Sequence, residues 1–310
     1  MELITFEKYL EMYSYPLAVT IGSFDGIHLG HQALIKNTYN IARRKGYKSA
    51  VLTFDPHPLT VVNKSQRENI TSIDDKFDII EKFKVDFLII INFSEKFQTI
   101  SKTEFINNYL LKINVKEVVV GDDFKFGYKG EGKALEISSL SNNLINTNII
   151  NLIMMDDEKI GSTKILQLLK EGKIETVNKL LGYNYYFNGS VVKGKQVGRR
   201  LGFPTANINN NNVKNLLKTG VYGVFVYVDD CSYLGMMNLG HNPTCNFTNE
   251  LSLEINLFDV DKDLYDKNLK IEIFCYVREE KKFSSRDDLI SQLKKDQTYI
   301  INKNHMLAKK

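Results

Sequence analysis

Two histidines three residues apart, His28 and His31, follow a glycine-bearing loop, Gly22-Ser23-Phe24-Asp25-Gly26. On a helix that spacing puts both imidazoles on one face, within reach of a single phosphate group. Imidazoles donate hydrogen bonds to phosphate oxygens and stabilise the charge that builds up in phosphoryl transfer. Gly22 and Gly26 let the backbone come close to a ligand, and Gly30 leaves room for a nucleotide against the helix. The competing readings are a metal pair or two surface histidines. Zinc takes three or four ligands, and no further His or Cys stands nearby at a ligand spacing.

Three other stretches carry chemistry. In the second half, Gly194 leads to Gly198-Arg199-Arg200-Leu201-Gly202-Phe203-Pro204-Thr205-Ala206-Asn207. Closely spaced glycines and a proline permit a loop that wraps a polyphosphate. Thr205 offers a hydroxyl and Asn207 a carbonyl oxygen, hard ligands suited to magnesium. Around Ile160-Gly161-Ser162-Thr163-Lys164, Ser162 and Thr163 fit as helix N-caps that can also donate to phosphate. In Gly121-Asp122-Asp123-Phe124-Lys125-Phe126-Gly127, Asp123 can contact a ribose, a nucleobase or the loop's own backbone. Phe124 and Phe126 can pack on a ring, and a tight turn with satisfied backbone groups remains the alternative.

The elements around these residues suggest how they are held. Leu17 to Ile21 reads as a buried strand, a helix begins at His28, and Ala50 to Phe54 reads as a second strand ending in Asp55-Pro56-His57-Pro58. Strand, glycine loop, helix, strand is a βαβ unit, whose ligand sits beyond the carboxyl ends of the strands. Further on come a helix opened by Ser72 and running towards Phe83, a strand at 85–91, a helix opened by Ser101 and a strand at 117–120. This alternation predicts an α/β domain with an open, mainly parallel, Rossmann-like sheet. A helix from Glu175 to Leu181, capped by Gly182, closes it. The predicted domains are therefore 1–182 and 183–310. Beyond Tyr183 short alternating strands appear at 185–192, 220–228, 234–239, 251–258 and 270–277. Six or so such strands indicate a small antiparallel β-barrel, and a terminal helix spans 285–300.

With 310 residues the chain suits two domains with separate cores. Its formal net charge of +4 is too mild to argue for nucleic acid and suits polyanionic nucleotides. Three cysteines with no CxxC, Cys231, Cys245 and Cys275, argue against a disulfide framework and for core positions in a reducing cytosol. The N-terminus lacks a signal pattern, and no apolar run approaches membrane-spanning length. The expectation is a cytoplasmic enzyme, a monomer or weak homo-oligomer, without nucleic-acid or membrane partners.

His28-x-Gly30-His31 after a strand and a Gly-x-Phe-Asp-Gly loop resembles the signature of the nucleotidyltransferase superfamily. Together with Thr53-Phe54-Asp55-Pro56-His57-Pro58 it resembles the bacterial bifunctional riboflavin kinase/FAD synthetases. The resemblance implies ATP, riboflavin, FMN and FAD as substrates or products, with Mg2+. It implies catalytic roles for His28 and His31 and ATP contacts from Gly22, Phe24, Asp25, Gly26, Gly30, Ser162, Thr163 and Lys164. Pro56, His57, Pro58, Asp123, Phe124 and Phe126 would line the flavin and nucleotide site. In the barrel, Gly194 to Asn207 resembles the riboflavin kinase motif G-x-x-x-G-x-x-x-G-F-P-T-A-N. That implies ATP contacts from Gly194, Gly198, Gly202, Phe203, Pro204 and Asn238, and metal contacts from Thr205 and Asn207. Glu254 falls where the family places its catalytic base, although a strand glutamate facing water is the plain alternative. Arg278 and Phe283 match R-x-E-x-K-F and would touch the flavin; core packing is equally natural for Phe283. One ATP site is expected under the histidine-bearing helix and the other in the barrel's mouth.

The departures from the family pattern are specific. Lys125 and Leu166 stand where arginines are usual, Gly161 replaces a serine, and Asn256 replaces a histidine. A lost arginine–phosphate pair removes about 1.5–3 kcal/mol, enough to slow transfer tenfold or more. Lys164 is a partial substitute at best. Leu166 therefore motivates an alternative, a riboflavin kinase whose first domain binds nucleotide with weakened or lost turnover. A flavin-responsive binding protein without catalysis is a further alternative; no basic stripe supports it.

Overall fold

The computed structural model describes residues 1–64, 68–151, 154–155, 158–193, 202–241, 251–258, 260 and 264–308. They form two compact units, Met1–Ser162 and Thr163–Lys310.

The first unit is built on six parallel strands: β1 (Glu2–Thr5), β2 (Leu17–Ile21), β3 (Lys48–Asp55), β4 (Phe87–Asn92), β5 (Val115–Gly121) and β6 (Asn146–Ile150), in the order β1-β4-β3-β2-β5-β6. All five residues of β2 are buried, which is why its sequence is apolar at every position but Thr20 rather than alternating. The edge strands β1 and β6 mix polar and apolar residues and were not expected from the sequence. One face of the sheet packs Val19, Leu52, Ile89 and Val118 into a core with Phe97, Phe105 and Leu110. The other receives Ile41 and Ala42 of the helix Leu29–Lys45 against Ala18 and Val119. Chain order runs outward through β2, β3 and β4, then returns to the far side of β2 as β5. That reversal opens a crevice between the carboxyl ends of β2 and β5.

The second unit is a closed antiparallel barrel of β7 (Tyr186–Val192), β8 (Ala206–Asn209), β9 (Gly220–Val228), β10 (Cys231–His241), β11 (Leu251–Leu257) and β12 (Asn268–Arg278). Their order around the barrel is β7-β8-β11-β10-β9-β12. The interior is filled by alternate residues such as Ile208, Val224, Met237, Leu239, Leu253, Ile255 and Ile273, all nearly or fully buried. Strand β8 was expected to be part of the glycine loop. The terminal helix Arg286–Ala308 is longer than expected and packs Ile300 on Val221, Met236 and Phe274 of the outer wall.

The division between the units falls after Ser162, the first residue of the helix Ser162–Lys170, which is followed by the helix Ile174–Leu181. The second of these helices is tied to the barrel: Asn178 donates to the Ile273 carbonyl at 2.9 Å and accepts from the Tyr185 amide at 2.8 Å. Cys275 is a core residue whose thiol burial pushes up to about 12. Cys231 is exposed rather than buried, and Cys245 lies outside the described residues. Among the described residues no helix is long and apolar enough to cross a membrane.

Candidate active sites

In the first unit the loop leaving β2 is over-determined by hydrogen bonds. Asp25, fully buried, accepts from the backbone amides of Ile70 and Thr71 through Oδ1 at 2.8 and 3.1 Å. The Gly26 amide donates to the Thr71 hydroxyl at 3.0 Å, and the Thr53 hydroxyl donates to the Ser23 carbonyl at 3.2 Å. These bonds hold Phe24, Gly26 and Ile27 at φ of +46°, +79° and +35°. Two of the three are not glycine, and such conformations persist at functional sites where the surroundings impose them.

His28 ends this loop as the N-cap of the helix Leu29–Lys45, its Nδ1 accepting from the His31 amide at 3.4 Å. An imidazole whose Nδ1 accepts carries its proton on Nε2, the nitrogen suited to donate to phosphate. The two rings stack at 3.7 Å with 19° between their planes, and Phe24 lies 5.0 Å from His31. Gly30 has a reason the sequence did not show. A Cβ there would meet the His28 ring at 3.1 and 3.2 Å, so the glycine makes room for the imidazole itself.

Ser162 is the first residue of its helix rather than its cap, and its hydroxyl donates to the Asp25 carbonyl at 2.7 Å. Thr163 and Lys164 follow on that helix; Leu166 is half-buried. His57 caps the short helix Pro58–Val62 by accepting from the Leu59 amide at 3.2 Å. Pro56 is exposed and Pro58 half-buried at the end of β3. On the loop after β5, Asp123 is exposed and Phe124 stacks on Phe126 at 5.9 Å. Phe126 itself belongs to the core beside Phe105, so its ring is committed to packing.

A residue the sequence reading passed over completes this end of the sheet. Lys76 lies on the helix Ile73–Glu81, is 4% exposed, and is within Coulombic reach of Asp25 and Asp55. Burial lowers its pKa, and the two carboxylates offset part of that. Its signal was present: 76, 79 and 80 have the i, i+3, i+4 spacing of a buried helical stripe.

In the barrel one row of residues joins the candidate site. Asn207 of β8 pairs with Glu254 of β11, which pairs with Asn238 of β10; Asn238 pairs with Val221, and Val221 with Arg278. Directly paired residues project to the same face. Glu254 alternates with Leu253 and Ile255, each 1% exposed in the interior, so the row lies on the barrel's outer wall and not in its mouth.

Over that wall the Phe203-Pro204-Thr205 turn is fastened twice. The Thr205 hydroxyl donates to Glu254 Oε2 at 3.1 Å, and the Asn256 amide donates to the Pro204 carbonyl at 2.7 Å. Asn256, the departure from the usual histidine, is thus a brace for the turn. Phe203 is half-buried, while Gly202 and Pro204 are exposed. Gly194 and Gly198 lie outside the described residues, as do Asn242 to Thr244.

Arg278 is committed elsewhere. Its Nε donates to both Asp296 oxygens at 3.1 and 3.0 Å, and Gln292 donates to Asp296 Oδ1 at 2.8 Å. Phe283 is half-buried, its ring 5.8 Å from the guanidinium carbon. Asp296, 2% exposed, anchors the terminal helix to the row, a role no motif announced.

Each unit matches its own family model. FAD synthetase covers residues 11–164 and riboflavin kinase covers 181–303. The bifunctional riboflavin kinase/FMN adenylyltransferase of Listeria monocytogenes is 38% identical over 281 residues, 90% of each chain. That of Bacillus subtilis is 36% identical over 282 residues, 90% of this chain and 89% of that one. A solved Streptococcus pneumoniae chain described as a macrolide-efflux protein superposes with a TM-score of 0.88 at 28% identity, covering 97% of this chain and 99% of that chain. With both models present in sequence order, and full-length relatives at these identities, the chain belongs to the bifunctional riboflavin kinase/FMN adenylyltransferase family.

Proposed function

We propose that the barrel phosphorylates riboflavin to FMN and the sheet unit adenylylates FMN to FAD, both from ATP. The observation that carries the first step is the Thr205–Glu254 hydrogen bond flanked by Asn207 and Asn238 in register. Glu254 is the base: it accepts the proton of the ribityl 5′-hydroxyl as that oxygen attacks the γ-phosphate and ADP leaves. Because the Thr205 hydroxyl gives its proton to Glu254, its lone pairs are directed to a cation, and the Asn207 side-chain oxygen is a second hard donor. Thr205 and Asn207 would hold Mg2+, which when bound neutralises charge on the triphosphate. Among the described residues no cluster of His, Cys, Asp and Glu offers a rival metal site. Asn238 and the Phe203–Pro204 turn line the nucleotide, and Arg278 with Phe283 braces the flavin side.

In the sheet unit an FMN phosphate oxygen attacks the α-phosphate of ATP, and pyrophosphate leaves. No protein nucleophile is needed, so catalysis is positioning and electrostatics. His28 and His31 donate to the phosphate whose charge develops; the loop from Gly22 to Gly26 and the helix N-terminus beyond it receive the chain of phosphates. The Pro56-His57-Pro58 tip and the Asp123-Phe124 loop take the flavin and nucleotide. A kinase without adenylyl transfer is not favoured, because the FAD synthetase family model matches through residue 164. The enzyme acts on small molecules in the cytoplasm, as a monomer or weak homo-oligomer without nucleic acid; the mild net charge of +4 bears only on the last, being too small to argue for nucleic acid.

Chromatography of products from riboflavin and Mg-ATP tests the scheme. FMN followed by FAD is expected, and absence of both products refutes it. FMN alone would retain only the kinase half, and Leu166→Arg should then raise FAD formation.

A further inference from the structure

Strand β8 carries Asn207 to the kinase site on a very short ladder. Its register with β11 holds two pairs, Ala206 with Ile255 and Asn207 with Glu254. Pro204, two residues before that ladder, has no amide hydrogen with which to extend it and offers only a carbonyl. Asn256 takes up that carbonyl with its side-chain amide at 2.7 Å, where a ladder bond is not available. Glu254 and Asn256 stand two residues apart on one face of β11, and they grip consecutive residues of the turn, Thr205 and Pro204.

Asn256 is itself rigidly presented. It is 5% exposed and pairs with Met236 of β10, and a Cβ on the adjacent Gly235 would meet its carbonyl at 2.7 Å. At its other end the turn has no such support. Gly202 has φ of +81° and, among the described residues, open space where its Cβ would stand. The turn is thus fastened where it enters β8 and free-standing where it begins. The Thr205 hydroxyl can rotate about its own bond, but the turn decides where its Cβ stands. Magnesium demands near-ideal octahedral geometry, so a displaced hydroxyl is lost as a ligand rather than partly retained.

We propose that Asn256 is a positioning residue for riboflavin phosphorylation, its amide fixing the Pro204 carbonyl and through it the place of the Thr205 hydroxyl. The magnesium–nucleotide site is thereby built before the nucleotide arrives. A histidine at this position would bring a ring N–H able to donate the same bond. The proposal rests on the riboflavin-phosphorylation reading of the barrel.

Asn256→Leu keeps the size of the side chain and removes the donor; Asn256→His restores a donor. In the full-length chain, titration calorimetry with ADP reads the site without turnover. With Mg2+ present, the Kd for ADP should rise about fivefold to tenfold in Asn256→Leu, the worth of one hydrogen bond, and stay within about threefold of wild type in Asn256→His. Without Mg2+ the three proteins should bind ADP alike. The KM for Mg-ATP should follow the Kd, with a smaller change in kcat. FAD formation from FMN by the same preparations should be unchanged, and amide exchange at Thr205 should quicken in Asn256→Leu alone. Wild-type FMN formation tests the underlying reading separately: if wild type makes none, that reading fails and calorimetry alone decides whether Asn256 builds a nucleotide site. A wild type that binds no ADP with Mg2+ removes that role as well. Wild-type affinity in Asn256→Leu, equal losses in both variants, or a loss of the same size without Mg2+ would overturn the proposal. If Asn256→Leu does not fold its barrel, Asn256→His decides: affinity for ADP with Mg2+ within about threefold of wild type supports the brace, and a larger loss removes it.

Discussion

The Thr205 hydroxyl donates to Oε2 of Glu254 across 3.1 Å, joining the end of the glycine loop to the middle of the barrel's outer wall. The bond orients one carboxylate oxygen and leaves the hydroxyl's lone pairs directed outward. Glu254→Gln should lower riboflavin phosphorylation between about 100-fold and 10,000-fold, the span of a general base. Adenylylation of added FMN by the same chain should not change. Parallel product chromatography from riboflavin and from FMN separates the two.

Gly30 lies under the His28 ring, and an added Cβ would stand 3.1 Å from Nδ1. Gly30→Ala should displace that ring from its stack on His31 and cut FAD formation about tenfold or more, because small misplacements of a charge-stabilising donor are expensive. Steady-state FAD synthesis checks this, with riboflavin phosphorylation as the folding control. Wild-type FAD synthesis in the variant would separate ring stacking from catalysis.

Arg278 and Asp296 form an ion pair at 2.8 Å, with side-chain exposures of 14% and 3%. Asp296→Ala leaves the guanidinium little solvent and no carboxylate. The barrel should lose about 3 kcal/mol, the lower end for a broken buried pair because the arginine keeps some contact with water. Urea unfolding followed through the C-terminal helix measures it. The KM for riboflavin should rise as the Arg278 row loosens.

The depressed ionisation of Lys76 has opposite consequences for stability and activity. Above its folded-state value and below its ordinary value of 10.5, the unfolded chain binds more protons, so the lysine's contribution to stability improves as pH rises. Over the same interval the buried ammonium, within Coulombic reach of Asp25 and Asp55, is lost, and FAD formation should fall. Both trends should flatten in Lys76→Met, as read from pH profiles of FAD synthesis and of the urea midpoint. A high-pH decline in activity that survives the substitution would belong to another group.

The sheet's central strands were legible because burial on both faces leaves a nearly continuous apolar run, Leu17–Ile21 interrupted only by Thr20 and Phe87–Asn92 apolar up to its exposed Asn92. The edges Glu2–Thr5 and Asn146–Ile150 were not, because half of their surface meets solvent and their residues are mixed. Ala206–Asn209 was too short to show a period, yet it carries Asn207 into line with Glu254. Phe126 read as a ligand platform and is a core residue.

Spacing along the chain was sufficient to nominate His28, His31, Thr205 and Asn207, because each sits in a local string whose geometry a short segment dictates, whereas Glu254 was nominated only by the family resemblance. It was also sufficient for the parallel sheet and the barrel, since hydrophobic period reports local burial. Other features came only with the tertiary structure: the stacking of the two imidazoles over Gly30, the position of Glu254 on the outer wall, the Arg278–Asp296 pair, and the burial of Lys76 near two carboxylates. These depend on which distant segments meet and on how much water they exclude, and neither quantity is a property of any one stretch of chain.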